Sequence, residues 1–339
     1  MTDYYVDSVR GLDAQDGSTP ALAKKTLNFI ENSANKLLVA GDNIYLACDS
    51  EWNITEDFGG QTFLMFRGSA TLDSPITITS YIPSGADSSL KPKLHNYQDI
   101  ASGDWTDITG GLFTYTVTIN VNQFNTTHAA VLLGDVFATR GTSDVGGYTY
   151  VTTVITVNSG VSDPTTTYGR VRLCYIPVFR ELSDSFQTRD GRVYDGLECS
   201  YANQLLQRLH TTSTNDEVAS TVTNCTISDV SHGFYTKAAP TASGTSTMLA
   251  SYNSITRTGH AALYVDGEFV VNSVLNNNTI SYTNLSDGSN GGITINGFGS
   301  VGGVQNNIIR DNGISWCVHG RGGTTFDGSG IYIEEGSII

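Results

Sequence analysis

The chain has 339 residues, enough for one large all-β domain or two average ones with a substantial core. It carries 18 Lys and Arg against 33 Asp and Glu, and the net charge of −15 argues against a nucleic-acid partner, which would require a basic face. With 36 Gly, 7 Pro and 15% charged residues, the composition favours a turn-rich β protein over disorder, and no apolar run is long enough to span a membrane.

The first 50 residues are predicted to contain a strand, a loop and a short helix. Residues 4–6 are β-prone, and residues 11–19 form a loop rich in Gly and Asp. Pro20 begins an amphipathic segment that continues through residue 34, and proline in the first turn favours a helix start. Such a helix would cap the apolar end of a stacked β structure. No charged region leads into an apolar stretch after Met1, so no signal peptide is predicted.

The cysteines and the first acidic loop contain the residue types that form disulfides or bind metals. The five cysteines are odd in number and scattered, without a C-x-x-C spacing, which indicates buried small side chains rather than a disulfide framework or a zinc site. Asp13 and Asp16 could bind calcium, but a turn that satisfies its own backbone is the interpretation we favour. No other cofactor is predicted.

Residues 100–180 are rich in Thr, Val, Gly and Tyr and show no clear repeat. Glycines separate β-prone segments such as residues 115–119 and 152–157. This region is predicted to be either a small β insertion or a set of irregular early coils. The chain is therefore divided into residues 1–99, 100–180 and 181–339.

The last third of the chain contains a degenerate repeat. Four short Asn-containing segments carry an isoleucine at a matching position: Ile227, Ile255, Ile280 and Ile309. These isoleucines are 28, 25 and 29 residues apart, and a second alternating strand follows each of them. Short strands and Gly/Asn turns at such a period indicate a solenoid of β coils that bury one another's apolar faces. We therefore predict an all-β parallel β-helix in which Asn253, Asn278 and Asn307 are structural turn residues, and which continues, or meets a partner, beyond Ile339.

Alignment of the second strand of each coil predicts which side chains face outwards. Two apolar columns are expected to point into the core: Phe234, Leu263, Ile293 and Ile331, and Thr236, Val265, Ile295 and Ile333. Side chains alternate along a strand, so the intervening columns should point out: Tyr235, Tyr264, Thr294 and Tyr332, and Lys237, Asp266, Asn296 and Glu334. Coils stack about 4.8 Å apart, comparable to one pyranose, so an extended sugar chain could lie on this ladder.

Four outward residues are the predicted carbohydrate contacts: Tyr235, Tyr264, Asn296 and Tyr332. Ordinary surface packing of β-prone tyrosines is the alternative. Asp229 and Arg257 occupy another matched position and are predicted to form an ion pair.

Several segments resemble right-handed parallel β-helix proteins of the pectate-lyase-like type. They are YYVDS at 4–8, DAQDGSTP at 13–20, KTL at 25–27, GDNIYL at 41–46, SPITITSY at 74–81 and KPKL at 91–94. The resemblance covers most of the chain and is weakest between residues 100 and 180. The resemblance implies the fold but not the activity. The superfamily contains polysaccharide lyases, glycoside hydrolases, epimerases and phage tailspikes, and the fold alone does not distinguish among them.

The resemblance also suggests catalytic positions. Lys237 lies where alginate lyases on this fold place a catalytic lysine on an outward strand, but Asp266 stands where they have an arginine. This departure argues against lyase chemistry, which needs a base and a positive group beside the substrate carboxylate. A hydrolase needs two carboxylates some 5–9 Å apart, and Asp266 and Glu334 would be about 10 Å apart.

Two classes of function are left open. The first is a virion-type protein similar to phage tailspikes or tail fibres that binds a cell-surface polysaccharide, with or without cleaving it. It would be a homotrimer in a phage tail, in contact with other tail proteins. The second is a polysaccharide lyase or glycoside hydrolase, which would be extracellular if a native leader is missing.

Overall fold

Three parallel sheets wind around one core in the computed structural model. The structure describes residues 1–29, 38–57, 64–65, 70–71, 73–117, 130–141, 145–151, 154–160, 162–183, 189–210, 217–238, 245–267, 272–286, 291–296, 306–317 and 330–333. Sheet 1 contains Asp3–Val6, Asn43–Ala47, Ile76–Tyr81, Arg189–Asp195, Glu217–Thr223, Thr245–Ser251, Val274–Asn276 and Ile308–Arg310. Sheet 2 contains Glu51–Asn53, Lys93–His95, Glu198–Ser200, Thr226–Val230, Ser254–Thr258, Thr279–Thr283 and Gly313–Cys317. Sheet 3 contains Leu64–Met65, Phe179–Ser183, Leu206–His210, Phe234–Ala238, Leu263–Gly267, Ile293–Asn296 and Ile331–Ile333.

Each turn of the chain contributes one strand to each sheet, in the order sheet 1, sheet 2, sheet 3. We number the coils of the described chain 1 to 7, from the coil that starts at Asn43–Ala47 to the coil that starts at Ile308–Arg310. Asp3–Val6 pairs in parallel with the first of them. The fold is thus the right-handed parallel β-helix that the sequence predicts.

The main core lies inside the coils. Inward side chains stack in columns, and the column of Phe234, Leu263 and Ile293 is at most 1% exposed. On sheet 2, Ile227, Ile255 and Ile280 form a second column that is fully buried. Because a parallel strand alternates faces, this stacking buries apolar surface from every coil against the next.

The spacing of the repeat places Ile309 in the same column as Ile280, and this prediction is wrong. Ile280 pairs with Ile314, whereas Ile309 pairs with Leu275 in sheet 1. The matching segment is therefore Asn312-Gly313-Ile314. The error arises because coil 7 contains two Asn-x-Ile segments and the first begins a strand of a different sheet.

A ladder of buried amides joins the turns between sheets 1 and 2. Asn278 Oδ1 accepts from Asn253 N at 3.1 Å and from Asn253 Nδ2 at 2.9 Å, and Asn312 Oδ1 accepts from Asn278 in the same way. Asn253 and Asn278 thus have the structural role expected of them. Asn307 is structural too, but in a separate position, where it accepts from the backbone N–H of Ser273 at 2.8 Å.

The helix predicted from Pro20 through residue 34 is wrong in the part that the structure describes. Only one 3₁₀ turn, Pro20–Leu22, is present. Lys24 instead pairs in parallel with Val6, because its N–H donates to Tyr5 O at 2.9 Å and its carbonyl accepts from Asp7 N at 2.8 Å. An extended segment, rather than a helix, therefore covers this edge of sheet 1, and residues 30–34 lie outside the described residues.

An insertion leaves coil 2 between its strands in sheets 2 and 3. Its four-stranded antiparallel sheet contains Gln98–Asp99, Ala130–Leu133, Val136–Phe137 and Val171–Cys174. Its five-stranded sheet contains Thr106–Thr109, Leu112–Thr116, Thr139–Arg140, Gly147–Val151 and Val154–Asn158. Short helices form at Ile54–Asp57 and, within the insertion, at Pro164–Tyr168. The insertion has a separate core around Trp105, Phe113, Tyr148 and Leu173, so these strands are not β-helix coils.

A charged cluster lies inside the β-helix, where apolar side chains would be expected. Glu181 and Arg208 are inward neighbours on sheet 3, at 3% and 2% exposure. Glu181 accepts from Arg208 Nε at 2.9 Å, from Tyr194 Oη at 2.7 Å and from Ser220 Oγ at 2.6 Å. Burial raises the pKa of Glu181, but the charges of Arg208 and Arg192 and these hydrogen bonds outweigh it and hold the pKa below its usual value of 4.5.

Candidate functional site

The predicted outward ladder is in register on the outer face of sheet 3. Tyr235 pairs with Tyr264, Tyr264 with Thr294, and Thr294 with Tyr332. In the same column, Gln207 lies one coil before Tyr235, and Arg180 lies one coil before Gln207. The residues on either side of this column, such as Leu263 and Val265, lie in the main core, so the column points away from it.

The column is more covered than the sequence suggests. Tyr235 is 2% exposed and Thr294 is 1% exposed, whereas Tyr264 and Tyr332 are partly buried. The expectation that Tyr235 offers an open face to a sugar is therefore wrong. The Tyr235 ring stacks on the Tyr264 ring, with centroids 5.2 Å apart and planes inclined by 22°. Tyr235 can orient Tyr264, while Tyr264 and Tyr332 are the tyrosines of this column with accessible surface.

Two histidines that sequence reasoning did not bring together lie beside the tyrosines. The rings of His232 and His260 stack, with centroids 4.8 Å apart and planes inclined by 7°. His232 also meets the Tyr235 and Tyr264 rings edge-on, at 5.9 and 5.7 Å. His260 follows Gly259 between the strands of sheets 2 and 3 and is 1% exposed. The 28-residue interval from His232 to His260, one coil length, is the signal that would have paired them.

His260 is held in its neutral form beside the insertion. Burial lowers the pKa of His260 to about 3, with a further contribution from the charge of Arg140. Arg140 belongs to the insertion, and its N–H donates to Ser286 O at 3.0 Å. Gly259 leaves room for the Ser286 side chain of the next coil, because a Cβ there would lie 2.7 Å from Ser286 Oγ. His260 is therefore an uncharged ring that packs on His232 at neutral pH, and not a cation.

Further contacts fasten the insertion along the corner between sheets 2 and 3. Arg172 places its guanidinium 3.8 Å from the centroid of the Tyr201 ring. Arg257 donates to the backbone carbonyl of Asp135 and forms the predicted ion pair with Asp229, at 2.6 Å between Nε and Oδ1. The insertion thus forms a wall beside the column of Tyr235 and Tyr264.

Buried amide groups at this corner have unused hydrogen-bonding capacity. Gln204 and Asn284 are fully buried, and neither their amide nitrogens nor their oxygens have a hydrogen-bond partner in the described part of the chain. The same holds for Gln207 Nε2, on the outer face next to Tyr235. Buried amides are normally satisfied, so these groups are suited to hydroxyl groups of a ligand or to ordered water.

The proposed catalytic residues are only partly described. The backbones of Lys237, Asp266 and Asn296 occupy successive positions of one column, as the sequence predicts. Their side chains are not described, and Glu334 lies outside the described residues altogether. The column therefore has a lysine and an aspartate in neighbouring coils, two positions after Tyr235 and Tyr264.

Both carboxylates of the first acidic loop accept hydrogen bonds from the backbone. Asp16 Oδ1 accepts from Ser18 N at 2.8 Å, as expected of a turn that satisfies its own backbone. Asp13 Oδ1 instead accepts from Thr26 N at 2.8 Å and so joins the loop to a later segment. In the ranges described, no group of three or more His, Cys, Asp and Glu side chains is placed to hold a metal ion.

Four of the five cysteines are free and buried: Cys48, Cys174, Cys199 and Cys225. Cys317 is free and half-buried. Within the same ranges, no helix has the length and apolar character that a membrane span requires.

Comparison with known proteins finds one matching family and several solved structures of similar fold. The family described as right handed beta helix region matches residues 188–338. XylC, solved in complex with xylose, shares 13% identity and a TM-score of 0.55, over 92% of this chain and 62% of XylC. A GH136 lacto-N-biosidase from Eubacterium ramulus has 14% identity and a TM-score of 0.42, over 99% of this chain and 67% of that protein. A glycoside hydrolase has 11% identity and a TM-score of 0.41, over 92% and 88%.

No curated protein matches this sequence. The chain spans 62% of the length of XylC, and at 13% identity that likeness concerns the fold. The parallel three-sheet coil and the family match agree with each other. The chain has the right-handed parallel β-helix fold, and its residues 188–338 match the family of that description.

Proposed function

We propose that this protein binds a polysaccharide along the outer face of sheet 3, with the sugar chain parallel to the β-helix axis and beside the insertion. The observation that carries the proposal is the partly exposed Tyr264, which the buried Tyr235 and His232 orient on this face, with Tyr332 two coils further along the same column. Successive coils are about 4.8 Å apart, so Tyr264 and Tyr332 would contact sugar residues about 10 Å apart along one chain.

The polar groups of this face support a hydroxyl-rich ligand. Tyr264 offers an aromatic edge or face, and Gln207 Nε2, two coils earlier in the same column, has no hydrogen-bond partner among the described residues. An amide can both donate to and accept from a sugar hydroxyl or a bridging water. The xylose in the XylC structure is consistent with a sugar ligand on this fold, although the likeness is at the level of the fold.

Basic residues in the outward columns of sheet 3 would allow the glycan to be acidic or neutral. Arg180 and Lys237 both belong to outward columns of sheet 3 in a chain of net charge −15. Such local basic positions allow an acidic polysaccharide as well as a neutral one. Binding should therefore be measured on acidic and neutral polysaccharides in parallel.

The binding experiment compares Tyr264→Ala with Tyr252→Ala. Tyr264 lies in the column, whereas Tyr252 is a 63% exposed tyrosine at the turn between sheets 1 and 2. We expect Tyr264→Ala to raise the Kd for the bound glycan about tenfold, as for a central aromatic contact. Tyr252→Ala should bind like the parent. Equal affinities of Tyr264→Ala and the parent would contradict the proposal.

Cleavage of the bound glycan is a second candidate, favoured by the adjacent positions of Lys237 and Asp266 in one column. In a lyase, Lys237 would take the proton next to the substrate carboxylate. In a hydrolase, Asp266 and Glu334 would supply the two carboxylates. Product absorbance at the unsaturated bond and new reducing ends distinguish the two reactions. If either appears, Lys237→Ala should lower the lyase rate by about 10² or more.

A place in a phage tail stays a prediction of the resemblance to tailspikes. A homotrimer and contacts with other tail proteins are part of that prediction. Light scattering of the 36.3 kDa chain tests the trimer directly, since a monomer mass in solution would exclude it for this chain.

A further inference from the structure

Sheet 2 carries an uncharged surface on the other side of the insertion from sheet 3. In coils 4–7 the outward strand positions are hydroxyl residues or glycine: Thr226, Ser228, Ser254, Thr256, Thr279, Ser281, Gly313 and Ser315. They alternate with the buried isoleucines of the core, so they form two parallel rows on one flat face. In coils 1–3 the first of these positions holds a charge instead, at Glu51, Lys93 and Glu198.

Two aromatic rings border these rows in coils 6 and 7. Tyr282 and Trp316 directly follow Ser281 and Ser315, and they are 47% and 70% exposed. Their rings are parallel within 5°, with centroids 6.1 Å apart. Both residues have a left-handed backbone, with φ of 55°.

The insertion uses the same corner in the preceding coils. The corresponding positions in coils 3, 4 and 5 are Tyr201, Asp229 and Arg257, all with positive φ. Tyr201 is covered by Arg172, Asp229 pairs with Arg257, and Arg257 reaches Asp135 of the insertion. In coils 6 and 7 the corner instead presents Tyr282 and Trp316 to solvent. The surface is thus a continuation of a corner that elsewhere is engaged by polar and aromatic contacts.

We infer that this surface, made of the hydroxyl rows of coils 5–7 with Tyr282 and Trp316, is a second carbohydrate-binding surface that takes a neutral polysaccharide chain. A pyranose has an apolar C–H face, which an aromatic ring can contact, and hydroxyl groups at its edge, which serine and threonine can bind. The repeat of about 4.8 Å along the coils matches successive sugar residues. The two hydroxyl rows carry no charge in coils 5–7, and Arg257 of the corner column is paired with Asp229, which favours a neutral ligand over an acidic one.

The hydroxyl rows are preorganised for this ligand. Ser281 Oγ donates to Thr256 Oγ1 at 3.1 Å, so hydroxyls of neighbouring coils orient one another. At the coil 4 end, Lys91 Nζ already donates to Thr226 Oγ1 at 3.0 Å, which is why the surface begins at coil 5. Tyrosine and tryptophan have few rotatable bonds, so little side-chain entropy is lost on binding.

The tryptophans make this proposal directly measurable. The chain has three, and Trp52 and Trp105 are 2% and 8% exposed, whereas Trp316 is 70% exposed. Quenching of intrinsic fluorescence by acrylamide therefore reports mainly on Trp316. The probes are neutral hexasaccharides of xylose, glucose and N-acetylglucosamine. We expect at least one of them to protect Trp316 from acrylamide in a saturable manner.

Matched variants test whether the two aromatic rings make the contact with the sugar. Trp316→Ala and Tyr282→Ala should each raise the Kd about tenfold, and Trp316→Phe should lose less because it keeps a ring. Tyr252→Ala is the control, since Tyr252 is also exposed, with φ of 57°, but has no parallel ring partner in the described chain. Unchanged circular dichroism in each variant confirms that the fold is intact.

Three outcomes would overturn the inference. The first is that no neutral hexasaccharide protects Trp316. The second is that Trp316→Ala binds the hexasaccharides as tightly as the parent. The third is that Trp316 becomes protected by raising the protein concentration alone, which would indicate contact between copies of this chain. Tyr264→Ala should leave the protection of Trp316 unchanged, so failure at sheet 3 and failure at sheet 2 are distinguishable.

Discussion

The buried Glu181–Arg208 pair allows one prediction to be worked out from the structure. Replacing Glu181 by Ala would leave the Arg208 guanidinium, 2% exposed, without its carboxylate inside the β-helix. It would also remove the acceptor of the hydrogen bonds from Tyr194 and Ser220. Breaking a buried ion pair by removing one partner costs about 3–5 kcal/mol, because the remaining charge is uncompensated.

We therefore expect Glu181→Ala to lower the free energy of unfolding in urea by about 3–5 kcal/mol. Arg208→Ala should cost less, because Arg192 still neutralises Glu181 in part. The double variant should be clearly more stable than the sum of the two losses predicts, since each single change includes the penalty of an unpaired charge. Additive losses would refute the assignment of these residues to one interacting pair.

The pH dependence supplies an independent check. The pKa of Glu181 is depressed in the folded protein, so its contribution to stability is present above its usual value of 4.5 and is lost as the pH falls through the lower folded value. The parent should therefore lose stability below about pH 4.5, and Glu181→Gln should lose less over that interval. Identical acid unfolding curves for the two proteins would contradict this role of Glu181.

Further predictions concern the core, the amide ladder and the thiols. Leu263→Ala should cost about 2–5 kcal/mol of unfolding free energy through a cavity, whereas Tyr264→Ala, on the outer face, should cost less than half as much; equal losses would place Tyr264 in the core. Asn278→Ala should lower the urea midpoint, because it leaves two N–H groups of Asn253 without their acceptor; an unchanged midpoint would remove the ladder's structural role. Burial raises the pKa of Cys225 to about 12, so its thiol should react with a disulfide reagent only after unfolding, and reaction in the native protein would disprove its burial.

Local alternation made part of this fold predictable from sequence. The inward column of Phe234 and Leu263 follows from the two-residue period of a strand, and the register of Tyr235 with Tyr264 follows from the coil length. Tyr235 nevertheless proved to be buried. Its exposure depends on contacts outside its own strand, which the period of the strand does not encode.

Two predictions were wrong because the same local sequence pattern fits two different structures. Residues from Pro20 onward have an amphipathic helical period, but the open edge of the first strand offers hydrogen bonds, and Lys24 takes them. Ile309 fits the repeat spacing as well as Ile314 does, and only the pairing with Leu275 assigns it to another sheet. Tertiary hydrogen bonding decides both cases.

The position of the insertion changes how the coils can unfold. In a simple solenoid each coil contacts only its neighbours, so coils can separate one at a time from either end. Here a segment that leaves coil 2 contacts Tyr201 of coil 3, Arg257 of coil 5 and Ser286 of coil 6. The insertion therefore joins coils 2–6, and we expect these coils to unfold together in one cooperative transition. Coil 7 has no such contact among the described residues and should open separately. Hydrogen exchange would then show similar amide protection along coils 2–6 and a sharp decrease in protection after coil 6.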